Sequence, residues 1–483
     1  MYSLEVEDIE AKRSSFSLSE TADRNNIILT TQEDSSSTVS SNEVFRVYKR
    51  RWLGLLGIVV ASQEFGISLE RVNWLGNVVN LIYLPVSVIV PLVCSRWGLS
   101  TSVFFLSLLL RVVESHQPRR HAQLIIGSLS LLASSWIRYA GTSQDLDADG
   151  KYALLLVGQI FTGFAQPWFQ ILGPRYSETW FDMSGRTTAT MLTAIAGPIG
   201  AALSQLIAPA FSTVSDSVLI LAIITSAATP TVLLIGSKPP VPPCLSHAGS
   251  QTSPPLMQIL RALVGRARQG EAFMSPRERI DMVIITLLFG SLVGAFSAFS
   301  ILISQIFTPH GYSSDEAGIM GGVLILAGIV GAAIFSPLVD RYLSNRLALV
   351  AKALVPLLAA CYISLIWDVQ PNNYAGIYVV MVLTGVSSFT LLPIALEIGC
   401  EVTRSAETSS AMLWFTGNLL SVTFALSMAA LRDDSPDASP PSNMLQSLIF
   451  LGCFIGAVAI SVFGLKAERT RQELGGGVSS SDE

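Results

Sequence analysis

Long apolar blocks separated by short polar joints set the pattern of this chain, in place of the alternation of a strand or the one-sided stripe of a surface helix. A bilayer's hydrocarbon core is about 30 Å thick and a helix rises about 1.5 Å per residue, so some twenty apolar residues predict a crossing. Such runs lie at about 74–94, 124–139, 153–172, 188–211 and 218–235, and again at 282–307, 317–339, 347–366, 374–398, 409–428 and 444–465. One more is stunted: after Lys49, Arg50 and Arg51, the apolar residues 52–61 rise only about 15 Å before SQEFG. With that incomplete first helix the expectation is an all-α membrane protein of twelve helices.

Between the two series lies a Pro/Ser-rich and then basic stretch with no spanning run, read as a linker over 237–279. It predicts two six-helix halves, 45–236 and 280–465. PLVCSRWG at the end of the second helix and PLVDRYLS at the end of the eighth give modest support for a six-plus-six pseudo-repeat. Residues 99–125, carrying Arg111, Glu114, Arg119 and Arg120 where a short loop is expected, read as an insertion. The stunted helix reads as a deletion from a mis-spliced transcript or a misplaced intron boundary, with genuine divergence as the other account.

Charge fixes an expected orientation. Lys and Arg gather in alternate connections, at 49–51, Arg96, Arg175 and Arg186, the central linker, Arg341 and Arg346, Arg404 and 466–471, while the opposite loops are acidic or neutral. The positive-inside rule then places both termini in the cytosol. Residues 1–44 and 466–483 read as cytosolic tails, the first disordered and without a signal peptide, so that the first helix is expected to serve as the insertion signal.

Half of the residues are hydrophobic and 13% are charged, far from the roughly 25% charged residues of soluble domains. Nucleic acid is not an expected partner. The five cysteines are scattered singly, and the four histidines all fall in loops, so no metal site, cofactor or disulfide framework is expected.

The twelve spans and basic central loop resemble the major facilitator superfamily, which has a charged motif between its second and third helices that clamps the two halves. Here the second-half copy stands as Asp340-Arg341, and the first keeps Arg96 and Gly98 but has Ser95 in place of the acid. Three stretches also resemble the transporter family named after the feline leukaemia virus subgroup C receptor. The first carries Gly158, Gln159, Ala165, Gln166, Arg175, Trp180, Phe181, Ala189 and Thr190 in order; the second runs from FSILISQ to Asp340; the third is LPIALEIGCEVTRSAETSSAML. The resemblance covers about 70–465 and implies a secondary carrier of a small organic solute, choline, ethanolamine, haem and vitamin-like compounds being ascribed to that family. It also implies that Asn418 stands where a substrate-contacting Gln often sits, that Pro198 replaces a fifth-helix amide, and that Ser297 replaces an aromatic.

Polar side chains within hydrocarbon are costly unless they face the bundle interior, so they mark a candidate pathway. Gln159 and Gln166, about two turns apart on one face, Gln305, Asn418 and Trp414 are the pathway candidates. For Gln159 and Gln166 the alternative is an interhelical hydrogen bond, and for Trp414 it is packing. Glu397 and Glu401 share a face near a helix end and read as a proton site, a gate partner for Arg175 or Arg404, or an ion pair at the headgroups. With Arg96, Arg175, Asp340 and Arg341 they form the gating candidates. The expected function is facilitative or secondary active transport by alternating access, in a monomer set in a plasma or vacuolar-type membrane; the alternative is a receptor or sensor that keeps the fold but does not transport. With no nucleophile–His pair and no nucleotide loop, an enzyme or an ATP-driven pump is not expected.

Overall fold

The computed structural model describes residues 69–96; 121–234 apart from 144, 182–184 and 201–213; and 254–466 apart from 272, 344–345, 434 and 436–438. The stunted first run, the tails but for Lys466, and residues 97–120 lie outside these. Residues 121–125, read above as the end of an insertion, fall in the opening turns of a helix.

The described residues are almost wholly helical. The N-terminal set is α1 Leu69–Arg96, α2 His121–Ala140, α3 Ala148–Gln170, the short α4 Leu172–Trp180, α5 Arg186–Ala194 and α6 Val214–Ala228. A linker helix follows, α7 Leu256–Val264. The C-terminal set is α8 Pro276–Phe307, α9 Ser314–Tyr342, α10 Leu347–Asp368, α11 Tyr374–Thr403, α12 Ala406–Ala430 and α13 Leu445–Ile460. Eight of the described helices are long and apolar enough to cross a membrane, and a ninth apolar stretch, Leu124–Ala140, is shorter. Side-chain exposure is inverted relative to a soluble fold: Ile319, Val330, Ile334 and Val379 are more than half exposed while Glu397 and Asp340 are buried. That distribution suits a bundle whose solvent is lipid.

Helix ends are written in the local sequence. Ser275 and Glu278 form a reciprocal capping box with Pro276 in the first turn of α8, and Ser313 and Glu316 do the same for α9. At the end where α8 and α9 meet, Tyr312 donates its hydroxyl to Gln370 O at 2.7 Å and accepts from Asn373 N at 2.9 Å. Burial raises the Tyr312 pKa above its ordinary value, which keeps the phenol a neutral donor.

α2 packs on α3 and α3 on α1; α8 packs on α12, α9 on α11, and α10 on α11 and α13. The two sets meet where α12 lies against α1 and α4, and where α5 lies against α9 and α11. The face at which α1, α9, α11 and α13 end and α8, α10 and α12 begin also carries α7, and is called the linker face below. α5 stops at Ala194, with Ile195 bent, before helical backbone resumes at 196. Pro198 is the cause: it has no N–H to offer the Ala194 carbonyl, and its ring crowds that oxygen.

The tightest helix contact joins α9 and α11. A Cβ on Gly385 would collide with the Leu324 carbonyl oxygen, and one on Gly328 would overlap the Phe389 ring, so glycine alone permits the two backbones to approach this closely. Gly385→Val is therefore expected to destabilise the protein by about 1–3 kcal/mol. Gly318→Ala, at a position with nothing within 4 Å, should be neutral. Thermal unfolding in detergent separates the two, and equal effects would contradict the packing.

Candidate functional site

At the linker face the two sets are held together by polar bonds within a largely apolar interface. α5 begins after Gly185, which has no side chain with which to cap it. The first N–H groups of a helix lack internal partners and favour an anion. Asp340, near the end of α9, supplies one: its Oδ2 accepts from Thr188 N at 2.7 Å and from Thr188 Oγ1 at 2.5 Å. Asp340 thus caps a helix of the other set.

Two residues on, Thr190 Oγ1 donates to Glu397 Oε1 of α11 at 2.6 Å. Ser177 Oγ of α4 lies 2.6 Å from the same hydroxyl and 3.2 Å from Arg186 O. With the Thr190 proton committed to the carboxylate, Ser177 is the donor in its pair and shares its one proton between Thr190 Oγ1 and the Arg186 carbonyl, so that a chain of hydroxyls runs from α4 through α5 to α11. The third bridge is ionic: Arg175 of α4 pairs with Glu407 in the first turn of α12. Both groups are largely shielded from solvent.

α12 forms the other side of this junction. Glu407, Ala411, Trp414, Asn418 and Ser421 recur at steps of four and three, which places them on one stripe. Glu407 reaches Arg175, Ala411 packs with Val86, Val90 and Trp168, and Ser421 Oγ accepts from Asn80 Nδ2 of α1 at 2.9 Å. The stripe therefore faces the N-terminal set. Between its two polar bridges sit Trp414 and Asn418. Asn418 Nδ2 donates to Trp414 O at 2.8 Å within its own helix, and the Trp414 ring meets Phe289 of α8 edge-on at 5.2 Å. The Trp414 Nε1 donor is buried and has no partner.

Across the junction, Gln159, Gly163 and Gln166 share one stripe of α3. Gly163 sits against the Val79 carbonyl and Ile82 of α1, so the two amides flank the closest approach of α3 to α1. The Oε1 atoms of both are buried without a partner, as are Trp168 Nε1 and Tyr83 Oη. A buried polar atom left without a partner costs about 1–3 kcal/mol, and of these four residues Trp168 packs in one cluster with Ala411 of the α12 stripe.

The remaining candidates are more scattered. Gln305 is half-buried in the last turns of α8 and engaged with the protein. Glu401 lies one turn beyond Glu397 in an interaction of its own. Arg404 pairs with Glu278 at 2.8 Å. Arg341 is exposed, its guanidinium 5.5 Å from the Tyr342 ring centroid. Arg96 ends α1, but its side chain lies outside the described residues. The sequence reading passed over Glu407, Thr188, Asn80 and Ser421, although the four-three spacing from Glu407 to Ser421 was there to be read.

The Major Facilitator Superfamily is matched over residues 118–428, well over half of the chain, and the chain belongs to that superfamily. It is thus an integral, multi-pass membrane protein and a transporter of small solutes, not an enzyme. Solute carrier family 49 member A3 of Danio rerio is 26% identical over 432 residues, 82% of this chain and 81% of that one. The choline/ethanolamine transporter flvcr2a of the same fish is 24% identical over 494 residues, 93% and 94% of the two chains, and FLVCR1 of Felis catus is 25% identical over 439 residues, 86% and 70%. Among solved structures, the human organic anion transporter MFSD10 superposes with a TM-score of 0.53 at 11% identity, covering 86% of this chain and 99% of that one. FucP in its outward conformation gives 0.54 at 12% identity, covering 86% and 98%. These two agree in fold.

Glu407→Gln removes one charge from the junction while keeping its shape. Cys400, a buried thiol of α11 that accepts from Ser409 Oγ at 3.4 Å, reports on opening there. Its labelling by a membrane-permeant maleimide should quicken about tenfold in Glu407→Gln, the factor equivalent to ~1.4 kcal/mol. The exchanged pair Arg175→Glu/Glu407→Arg should label at close to the wild-type rate, and an unchanged rate in Glu407→Gln would contradict the bridge.

Proposed function

We propose that the chain carries a small polar organic solute by alternating access, with the solute held between Trp414 and Asn418 on α12 and the amides of α3. One observation carries this reading: the α12 stripe is bridged to the N-terminal set at both ends, by Glu407–Arg175 and Asn80–Ser421, and between them leaves the Trp414 Nε1 donor unused. The bridges at the linker face favour a state closed there. The moving bodies on this account are the helices of 45–236 and of 280–465, joined by the linker over 237–279.

The linker face is assigned to the cytosol with both termini, on the basic residues that gather there. The protein is taken to work as a monomer, in a plasma or vacuolar-type membrane. Relatives described as choline/ethanolamine transporters make amino alcohols the first solutes to test. Although Ser297 stands where the related carriers have an aromatic, the Trp414–Phe289 pair offers an aromatic face to a cationic head.

Uptake of labelled choline and ethanolamine into proteoliposomes tests the proposal. Asn418→Ala and Trp414→Ala are each expected to lower uptake about tenfold, as the loss of one buried hydrogen bond or ring contact would. Gln305→Ala should leave it nearly unchanged. A protein that moves neither these nor any solute of a broader panel would support the receptor reading.

A further inference from the structure

The linker helix α7 rests on the N-terminal end of α8 and touches α1, and α8 begins a membrane span at Pro276. α7 therefore lies at the level of the lipid headgroups. Leu256, Ile259 and Ala262 turn inward against the protein. Met257 and Val264 lie seven apart on the outward side and are 46% and 70% exposed; past the turn at Gly265, Phe273 is 63% exposed. Three large apolar side chains are thus displayed beside hydrocarbon, where they have somewhere to go.

The charge around them is lopsided. Arg261 is neutralised by Glu271, and Arg277 by Asp281. Glu278 is occupied by Arg404 and by its capping bond to Ser275 N. The guanidinium groups of Arg266 and Arg268 have no carboxylate partner among the described residues and both residues are exposed, although Glu271, which pairs with Arg261, also accepts from Arg268 N at 3.2 Å; Arg279 spends its Nε on the Met274 carbonyl at 3.0 Å. An apolar surface at headgroup depth, flanked by unneutralised guanidinium groups, suits lipid phosphate better than a soluble partner.

We infer that the segment from Leu256 to Arg279 docks on anionic phospholipid headgroups of the leaflet at the linker face, with Arg266 and Arg268 taking the phosphates and Val264 and Phe273 entering the acyl boundary. The docked segment is mechanically joined to the junction: Glu278 holds Arg404, and Glu407, three residues further along the chain, holds Arg175. Anionic lipid is thereby expected to favour the bridged state.

The test uses the full-length protein in phosphatidylcholine-containing micelles, followed by thermal unfolding as phosphatidylserine is added. Wild type should gain stability in a saturable way, and Arg266→Gln/Arg268→Gln should need about twenty-five-fold more phosphatidylserine for the same gain, at roughly fivefold per arginine. Arg266→Lys/Arg268→Lys, which keeps the charge, should respond nearly as wild type does, and inorganic phosphate should have no effect. The inference is overturned if phosphatidylserine and added phosphatidylcholine stabilise equally, if the glutamine variant responds like wild type, or if phosphate alone reproduces the gain, since the site would then serve a soluble anion. The outcome is independent of which solute is carried.

Discussion

An acidic group buried within a helical bundle has to be answered by the protein, because burial takes away the water that would otherwise solvate it. Asp340 and Glu397 are both buried on the C-terminal set, and among the described residues they are answered by Thr188 and Thr190, which stand on α5 of the N-terminal set. The two sets are therefore bound at the linker face by a requirement of solvation as much as by packing. Separating them there strips a carboxylate of its donors and an α-helix of its cap, unless water or a proton arrives to replace them.

Arg175–Glu407 ties α12 into the same junction, and α12 extends the contact along the interface to Ser421. From Glu407 to Ser421 the helix rises about 21 Å. On the proposed reading, a solute bound near Trp414 and Asn418 would lie on that lever between its two points of attachment, and contact with the ring or the amide would bear on whether the bridges hold. The proposed site offers one ring face and a few hydrogen-bonding atoms, which suits a small polar solute.

The helices were legible in the sequence because hydrocarbon imposes so coarse a rule: the apolar runs at 282–307, 317–339 and 374–398 lie inside α8, α9 and α11. Their ends were less so, since α8 continues through six residues before Met282 on the strength of the Ser275 capping box, a local signal that hydropathy does not register. Pro198 entered the sequence reading as a lost amide, while in the backbone it interrupts the helix at Ile195, because the clash falls on the preceding turn. The junction was half legible. Asp340, Glu397 and Arg175 stand out as charges in apolar surroundings, whereas Thr188, Thr190 and Ser177 are ordinary hydroxyls until the fold brings them to a carboxylate. Pairing is a property of the third dimension: Arg404 was as good a candidate for Glu397 as for Glu278, and only the turn between α11 and α12 decides that it meets Glu278.

Alternating access as proposed requires reciprocal motion of the two helix sets about the α12 stripe. Spin-label distances in lipid vesicles measure it directly, with one pair at Thr179 and Tyr342 on the linker face and another at Ala140 and Asn372 on the opposite face. Introducing Glu407→Gln should shift the first pair toward longer separations and the second toward shorter ones. Distances that stay fixed in both pairs, or lengthen together, would contradict it.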